Sequence, residues 1–159
     1  MSEQKRYELF CAIINELDRC TALINEYDSQ LHDYQGVIMY QAESQMIKAI
    51  GDHSGITAAE LAKMFNKTNS ACSQLIRKLK QKGWVTQSRN EDNSREYNLF
   101  LTDQGKEIYL KHKDFESACY KRSFAMLEGI SEAEMESCIK IQKRLNASFQ
   151  MDVDESKDL

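Results

Sequence analysis

A run of side chains between positions 68 and 78 has the composition that contact with DNA requires. Small side chains allow close approach to a groove, an amide can pair with a base edge, and basic groups neutralise phosphates. These residues lie, at helical spacing, opposite an apolar stripe that must be buried. The stripe consists of Cys72, Leu75, Ile76 and Leu79, and the candidate DNA-binding residues opposite it are Ser70, Ala71, Ser73, Gln74, Arg77 and Lys78, joined at the start of the helix by Thr68.

Different members of this set suit different contacts. Gln74 and Arg77 are the leading candidates for a base edge or a phosphate, and the two serines would support them. Lys67 and Lys78 are expected at backbone phosphates. The alternative is that the hydroxyl and amide residues form an ordinary helix surface. What favours DNA is that all of them share the face that burial of the apolar stripe leaves exposed.

Further along the chain, a polar segment from 88 to 95 separates two strand-like runs. It contains the basic and amide residues Arg89, Asn93 and Arg95. A basic hairpin tip beside a DNA-reading helix suits phosphates or an adjacent minor groove, and Arg95 is the minor-groove candidate. Lys80 and Lys82, by contrast, are interpreted as solvated residues that complement the helix dipole.

The order of elements that must position these residues is helix, turn, helix and hairpin. Thr57 and Glu60 form an S/T-x-x-E capping pattern at the start of the first helix, and Thr68 can cap the second. Gly83 stands where a helix ends in a left-handed residue. After it, the alternation of apolar residues from 97 to 101 predicts a half-buried strand.

This arrangement resembles the winged helix-turn-helix of the multiple antibiotic resistance regulator (MarR) family. The resemblance is carried by residues 56–62 (ITAAELA), 75–79 (LIRKL), 83–85 (GWV) and 101–105 (LTDQG). At the wing tip this sequence departs from the family, because Asn93-Ser94-Arg95 replaces the usual Asp-Arg-Arg and only Asp92 could substitute for the lost aspartate. The resemblance implies a homodimeric repressor that binds double-stranded DNA at a palindromic operator. It also implies a small aromatic effector that binds between the dimer helices and the DNA-reading lobe and lowers DNA affinity.

The flanking segments are predicted to be helical, which makes the chain mainly α with a small β-hairpin wing. We expect one domain over 1–159, with dimerisation helices at 1–34 and 103–150, a winged-helix lobe at 37–102 and a frayed tail at 151–159. A first helix from 4 to about 34 carries apolar residues at spacings of three and four, which predicts a seam for another helix. A second helix is expected over 37–52, after a break at Gln35-Gly36.

Composition fits a helical globular domain and its charge is unevenly distributed. Among 159 residues there is no proline, and 42% are hydrophobic. Residues 57–113 contain 11 Lys/Arg against 6 Asp/Glu, a net charge of +5, whereas the whole chain has −4. A local basic region is typical of duplex binding. No apolar run is long enough to span a bilayer and no signal-peptide pattern is present, so we expect a cytoplasmic protein.

Other chemistries find little support in the sequence. The five cysteines have no C-x-x-C spacing and are interpreted as packed thiols, although a redox-sensing regulator using Cys11 or Cys20 is an alternative. The three histidines lack metal-site spacing and are expected at the surface or in caps, so no metal or cofactor is predicted. Enzyme motifs are absent. The remaining alternative is a winged helix that contacts protein rather than DNA.

Overall fold

The computed structural model describes residues 2–90, 93 and 96–157. These residues form six helices and four short strands, which confirms the predicted class of a mainly α protein with a hairpin wing. In chain order they are α1 (Glu3–Ser29), β1 (Leu31–Tyr34), β2 (Val37–Tyr40), α2 (Gln41–Asp52), α3 (Ala58–Met64), α4 (Asn69–Gln81), β3 (Val85–Arg89), β4 (Tyr97–Leu101), α5 (Asp103–Ala125) and α6 (Glu132–Ser156). The chain divides into two compact units, residues 1–117 and 118–159.

The core of the first unit lies where α2, α3 and α4 meet the β3–β4 hairpin. Each element contributes one apolar face, as its spacing predicts. The fully buried members include Met46, Ile47, Ile50, Leu61, Cys72, Leu79 and Leu99. Ile108 extends this core into the start of α5. The core therefore fixes the three helices and the wing relative to one another.

The segment from 30 to 40 contradicts the predicted long first helix. Instead of continuing to about 34, α1 ends at Ser29, and Leu31–Tyr34 pairs antiparallel with Val37–Tyr40. Gln35 and Gly36 both have positive φ, 54° and 88°, which is the geometry of a tight two-residue hairpin turn. The start of the second helix was also predicted too early, since α2 begins at Gln41.

Burial explains why this segment is extended rather than helical. Tyr34 and Met39 point inward from the two strands and are fully buried. The Tyr34 hydroxyl donates to Gln41 Oε1 at 2.7 Å and lies 3.0 Å from Ser44 Oγ. In addition, Lys111 Nζ donates to the Gln35 carbonyl at 3.2 Å. The hairpin is thus bound to both α2 and α5.

The terminal helices carry apolar side chains that the chain itself leaves exposed. In α1 no residue is buried, and Tyr7, Leu23 and Ile24 are each more than half exposed. In α6, Ile139, Met151 and Val153 are at least half exposed. The tail was predicted to fray from 151, but α6 continues to Ser156, where Lys157 pairs with Asp154 at 2.8 Å. None of the helices in the described residues combines the length and the apolar composition that a bilayer span requires.

Candidate nucleic-acid interface

The first helix of the helix-turn-helix begins and ends at residues that satisfy its free backbone groups. At its start the Thr57 hydroxyl accepts from the Glu60 amide at 3.3 Å, and Glu60 Oε2 accepts from the Thr57 amide at 2.8 Å. This reciprocal pair is the predicted capping box. At its end Asn66 has a positive φ of 49°, and the Lys67 amide donates back to the Ala62 carbonyl at 2.9 Å. A left-handed asparagine therefore closes α3 and keeps the turn short.

The second helix, α4, is fixed at both ends as the sequence predicts. Thr68 caps it, with its hydroxyl accepting from the Ala71 amide at 3.2 Å. At the other end Gly83 has a φ of 76°, the Gly83 amide donates to Lys80, and the Trp84 amide donates to Leu79. This pair of bonds is a Schellman motif. The cap at Thr68 and the glycine at 83 therefore fix where α4 begins and ends.

The wing is attached to the base of α5 by backbone contacts. Thr102 donates its hydroxyl to the Gly83 carbonyl at 2.7 Å and its amide to the Trp84 carbonyl at 3.1 Å. A Cβ on Gly105 would collide with the carbonyl oxygen of Trp84. Only glycine allows α5 to start this close to the wing.

The strands of the wing pair in register from Val85↔Leu101 to Arg89↔Tyr97. At the tip, the Asn90 side chain accepts from the Asn93 amide at 2.9 Å, and the Asn90 amide donates to the Glu96 carbonyl at 3.1 Å. These bonds link Asn93 and Glu96 to Asn90. The candidate Arg95, and the possible brace Asp92, lie outside the described residues.

The exposed side of α4 divides the predicted DNA-binding residues into two groups. Ser70, Ala71 and Gln74 are exposed on the outer surface of the helix. Ser73 and Arg77 are exposed toward a cleft of about 410 Å³ between α4 and the wing, which we call the wing cleft. The remaining lining of the wing cleft includes Asn69, Lys80, Gln87, Glu96 and Tyr97.

The wing cleft adds residues that the sequence alone did not single out. Lys80 lies in it with Arg77, so the interpretation of Lys80 as a solvated dipole partner overlooked its place in the cleft. Tyr97 adds a ring that is 45% exposed. The sequence did contain a signal for these residues. Positions 73, 77 and 80 are spaced by four and three, so Arg77 and Lys80 lie one and two helical turns beyond Ser73 on the same flank of α4.

Lys78 and Lys82 are held by a buried carboxylate of α2. Glu43 is only 2% exposed, and its Oε1 lies 2.6 Å from Lys82 Nζ and 3.3 Å from Lys78 Nζ. Burial alone would raise the pKa of Glu43, but the Lys82 hydrogen bond, the Tyr40 amide and the two lysine charges together lower it below its ordinary value. The interpretation of Lys82 as a solvated residue was wrong, since it binds a buried partner.

Three other sequence interpretations have structural outcomes. His112 was expected at the surface or in a cap, yet it is 2% exposed in the core, and burial lowers its pKa. Cys72 is a packed thiol as predicted, and burial raises its pKa. Cys20 and Cys138, in contrast, are exposed in the single chain. Among the residues described, no three His, Cys, Asp or Glu side chains are grouped as a metal site.

Comparison with known proteins agrees with this geometry. The MarR family model matches residues 41–96, from the start of α2 to the wing. The uncharacterised HTH-type transcriptional regulator YhjH of Bacillus subtilis (strain 168) is 21% identical over 140 residues, covering 84% of this chain and 80% of the relative.

Solved structures show the same fold. FabT of Streptococcus pneumoniae, in complex with DNA, superposes with a TM-score of 0.62 at 23% identity, covering 96% of this chain and 99% of that chain. ZitR of Lactococcus lactis, a zinc-responsive MarR family member, gives 0.72 at 14% identity, covering 89% and 99%.

The fold and the exposed face of α4 define a winged helix-turn-helix transcriptional regulator. The segment that matches the family model contains the whole of α2, α3, α4 and β3. Over this segment the protein is similar to regulators of the MarR family. The matched relatives are transcriptional regulators rather than enzymes.

Proposed function

We propose that the protein is a homodimeric repressor that binds a palindromic operator in double-stranded DNA. The observation that carries this proposal is the exposed face of α4, where Gln74 and Arg77 lie free of the core beside the wing cleft. A helix with this face enters the major groove, and the cleft beside it accommodates a phosphate backbone. The relative FabT, solved with DNA, supports the same use of the fold.

The individual contacts follow from where each side chain lies. Gln74, Ser70 and Ala71 face outward and would meet base edges. Arg77, with Ser73, would meet a phosphate or a base at the mouth of the wing cleft. Further candidates for backbone contact are Thr68, Lys67, Arg89 and Asn93, and Arg95 stays the candidate for the minor groove.

Dimerisation is supported by the apolar side chains of the terminal helices. Tyr7, Leu23 and Ile24 of α1 are exposed in the isolated chain, as are Ile139 and Val153 of α6. Apolar surface on this scale marks an interface in a protein that stays in solution. In a symmetric dimer the two α4 helices would read half-sites whose centres lie about 34 Å apart.

We also propose a site for a small effector in the first unit. A second cleft of about 410 Å³ lies between the end of α1, the start of α2 and the helix-turn-helix. Met46, Phe65 and Leu75 give it an apolar floor, and Asp28, Gln41 and Lys67 give it polar groups. A ligand here would touch the turn before α4, so its binding could shift the population of DNA-competent molecules.

The decisive experiment is selection of bound sequences from a random duplex pool with the full-length protein. We expect an enriched palindrome with half-sites about one helical turn apart, and affinity that falls steeply with salt. If no duplex is enriched and binding does not depend on salt, the alternative of a protein-contact module is favoured. Action on a chromosome would place the protein in the cytoplasm, as the sequence leads us to expect.

A further inference from the structure

We propose that Glu43 is a positioning residue for DNA recognition, which anchors the C-terminal half of α4 and divides its basic residues between two tasks. Lys78 and Lys82 would hold the helix against α2, while Arg77 and Lys80 would be left to bind phosphates. This inference rests on the proposed DNA-binding function. It extends that function by assigning a role to a residue outside the reading face.

The contacts of Glu43 use both carboxylate oxygens. Oε2 accepts the amide of Tyr40 at 3.1 Å at the start of α2. Oε1 receives two ammonium groups, from Lys82 at 2.6 Å and from Lys78 at 3.3 Å. Glu43 itself is only 2% exposed, whereas the Lys82 and Lys78 side chains are 31% and 47% exposed. A buried carboxylate retains its charge only when it is paired in this way.

Aromatic rings hold the two lysines in the same position. Lys78 Nζ lies 5.4 Å from the centre of the Tyr40 ring, and Lys82 Nζ lies 4.4 Å from the centre of the Trp84 ring. Both distances are within the range of a cation–π interaction. Each lysine is therefore fixed by a carboxylate and a ring, whereas a phosphate-binding lysine is normally extended into solvent.

The two pairs of cations lie on different flanks of α4. Residues 78 and 82 are one helical turn apart and face α2. Arg77 and Lys80 line the wing cleft on the other flank. The buried stripe of α4 packs it into the core, and the Glu43 contacts add a polar anchor on one flank. This second anchor would restrain the rotation of α4 about its own axis, which decides which side chains reach the bases.

The experiment compares salt dependence and specificity among variants of the full-length protein. Each variant is titrated with the selected operator and with a scrambled duplex at several salt concentrations. E43Q should lower operator affinity by at least about tenfold, the scale of one lost base contact. It should also release Lys78 to bind phosphate, so affinity for scrambled DNA should rise, with a salt slope steeper by about 0.9.

Two matched pairs of lysine variants test how α4 divides its basic residues even if E43Q does not fold. K80M should reduce the operator salt slope by about 0.9, and K78M should leave the slope unchanged. K82R keeps a cation beside Glu43 and should bind as the wild type does, whereas K82M should lose specificity in the same direction as E43Q. Circular dichroism melts identify variants that are folded at the assay temperature.

Each outcome decides between the possibilities. The inference is overturned if E43Q lowers operator and scrambled-duplex affinity by the same factor, or if K78M reduces the slope as much as K80M does. It is also overturned if E43Q binds as the wild type. If the wild-type protein binds no duplex at all, the proposed function fails, and that result is separate because it appears before any variant is made.

Discussion

Tyr34, at the end of β1, packs against His112 of α5 with their ring centres 5.3 Å apart. The β1–β2 hairpin thereby covers His112, which is only 2% exposed. Phe115 also packs against Tyr34, with the two ring centres 4.8 Å apart. Among the described residues, His112 Nδ1 has no hydrogen-bond partner. A neutral imidazole is tolerated in this position, but a protonated ring would place an unpaired charge in the core.

Stability should therefore fall in mild acid through His112. Burial is the main cause that lowers its pKa below about 6.5, and it outweighs the opposing charges of Glu116 and Asp52. Because the unfolded chain binds the proton more readily, the stabilisation is complete above about pH 6.5 and is lost as pH falls through the lower folded pKa. For one proton the slope of this loss is at most about 1.4 kcal/mol per pH unit, measured from urea midpoints between pH 7.5 and 5.5.

The control for this prediction is an exposed histidine. His53→Gln removes an imidazole that lies at the surface and leaves the buried one in place. His112→Leu should flatten the pH dependence, whatever its effect on stability at neutral pH. If His112→Leu and the wild type lose stability in parallel below pH 6.5, another group is responsible.

Arg77 should contribute to DNA binding through its charge. Arg77→Ala should weaken operator binding by about tenfold or more and lower the salt slope by about 0.9, since one phosphate contact is lost. Its position at the wing cleft, outside the core, means that the thermal melt should barely change. Lys106→Ala removes the same charge from an exposed position of α5 and should leave binding nearly unaltered. Equal losses in the two variants would show only a general effect of charge.

The exposed stripe of α1 should hold the dimer together. Ile24→Glu places a charge on a residue that is 54% exposed in the single chain, so the fold should survive while association weakens. Sedimentation velocity should show a shift from dimer to monomer at micromolar concentration. Asn15→Glu changes the opposite face of the same helix and should remain dimeric. A wild-type protein that sediments as a monomer would contradict the proposed dimer directly.

Two glycines should respond differently to alanine. Gly36 has a φ of 88° with nothing near its missing Cβ, so Gly36→Ala should cost only backbone strain, about 1 kcal/mol. Gly105→Ala should lower the free energy of unfolding by several kcal/mol more than Gly36→Ala does, because the new methyl group meets the rigid carbonyl of Trp84. Denaturant midpoints measure both. Similar losses would mean that α5 can shift away from the wing at little cost.

The helix-turn-helix could be predicted from sequence because its boundaries are local. Each boundary is set by a residue that acts on backbone groups within a few positions of itself, namely Thr57 with Glu60, Thr68 and Gly83. The local sequence is therefore enough to predict where these helices begin and end. The contacts of Glu43 could not be predicted, because its lysines lie 35 and 39 residues further along the chain. A carboxylate at that position looks like any other exposed residue of a helix.

The first hairpin was missed for a different reason. Leu31 and Tyr34 happen to continue the three-and-four spacing of α1, so periodicity alone favoured a longer helix. The turn depends on a left-handed Gln35, a conformation that glutamine rarely adopts, and only the Gly36 beside it gave a signal. Tertiary burial of Tyr34 and Met39 outweighs the local preference.

The close fit of Gly105 against the Trp84 carbonyl has a mechanical consequence. Together with the hydrogen bonds of Thr102, this contact leaves no room for the first turn of α5 to move relative to the base of the wing. Any twist delivered along that helix must be transmitted to the β3–β4 ribbon and, through the Schellman bonds at Gly83, to α4. The first turn of α5 would then rotate together with the wing and α4 as one rigid piece, and any bending would have to occur elsewhere in the chain.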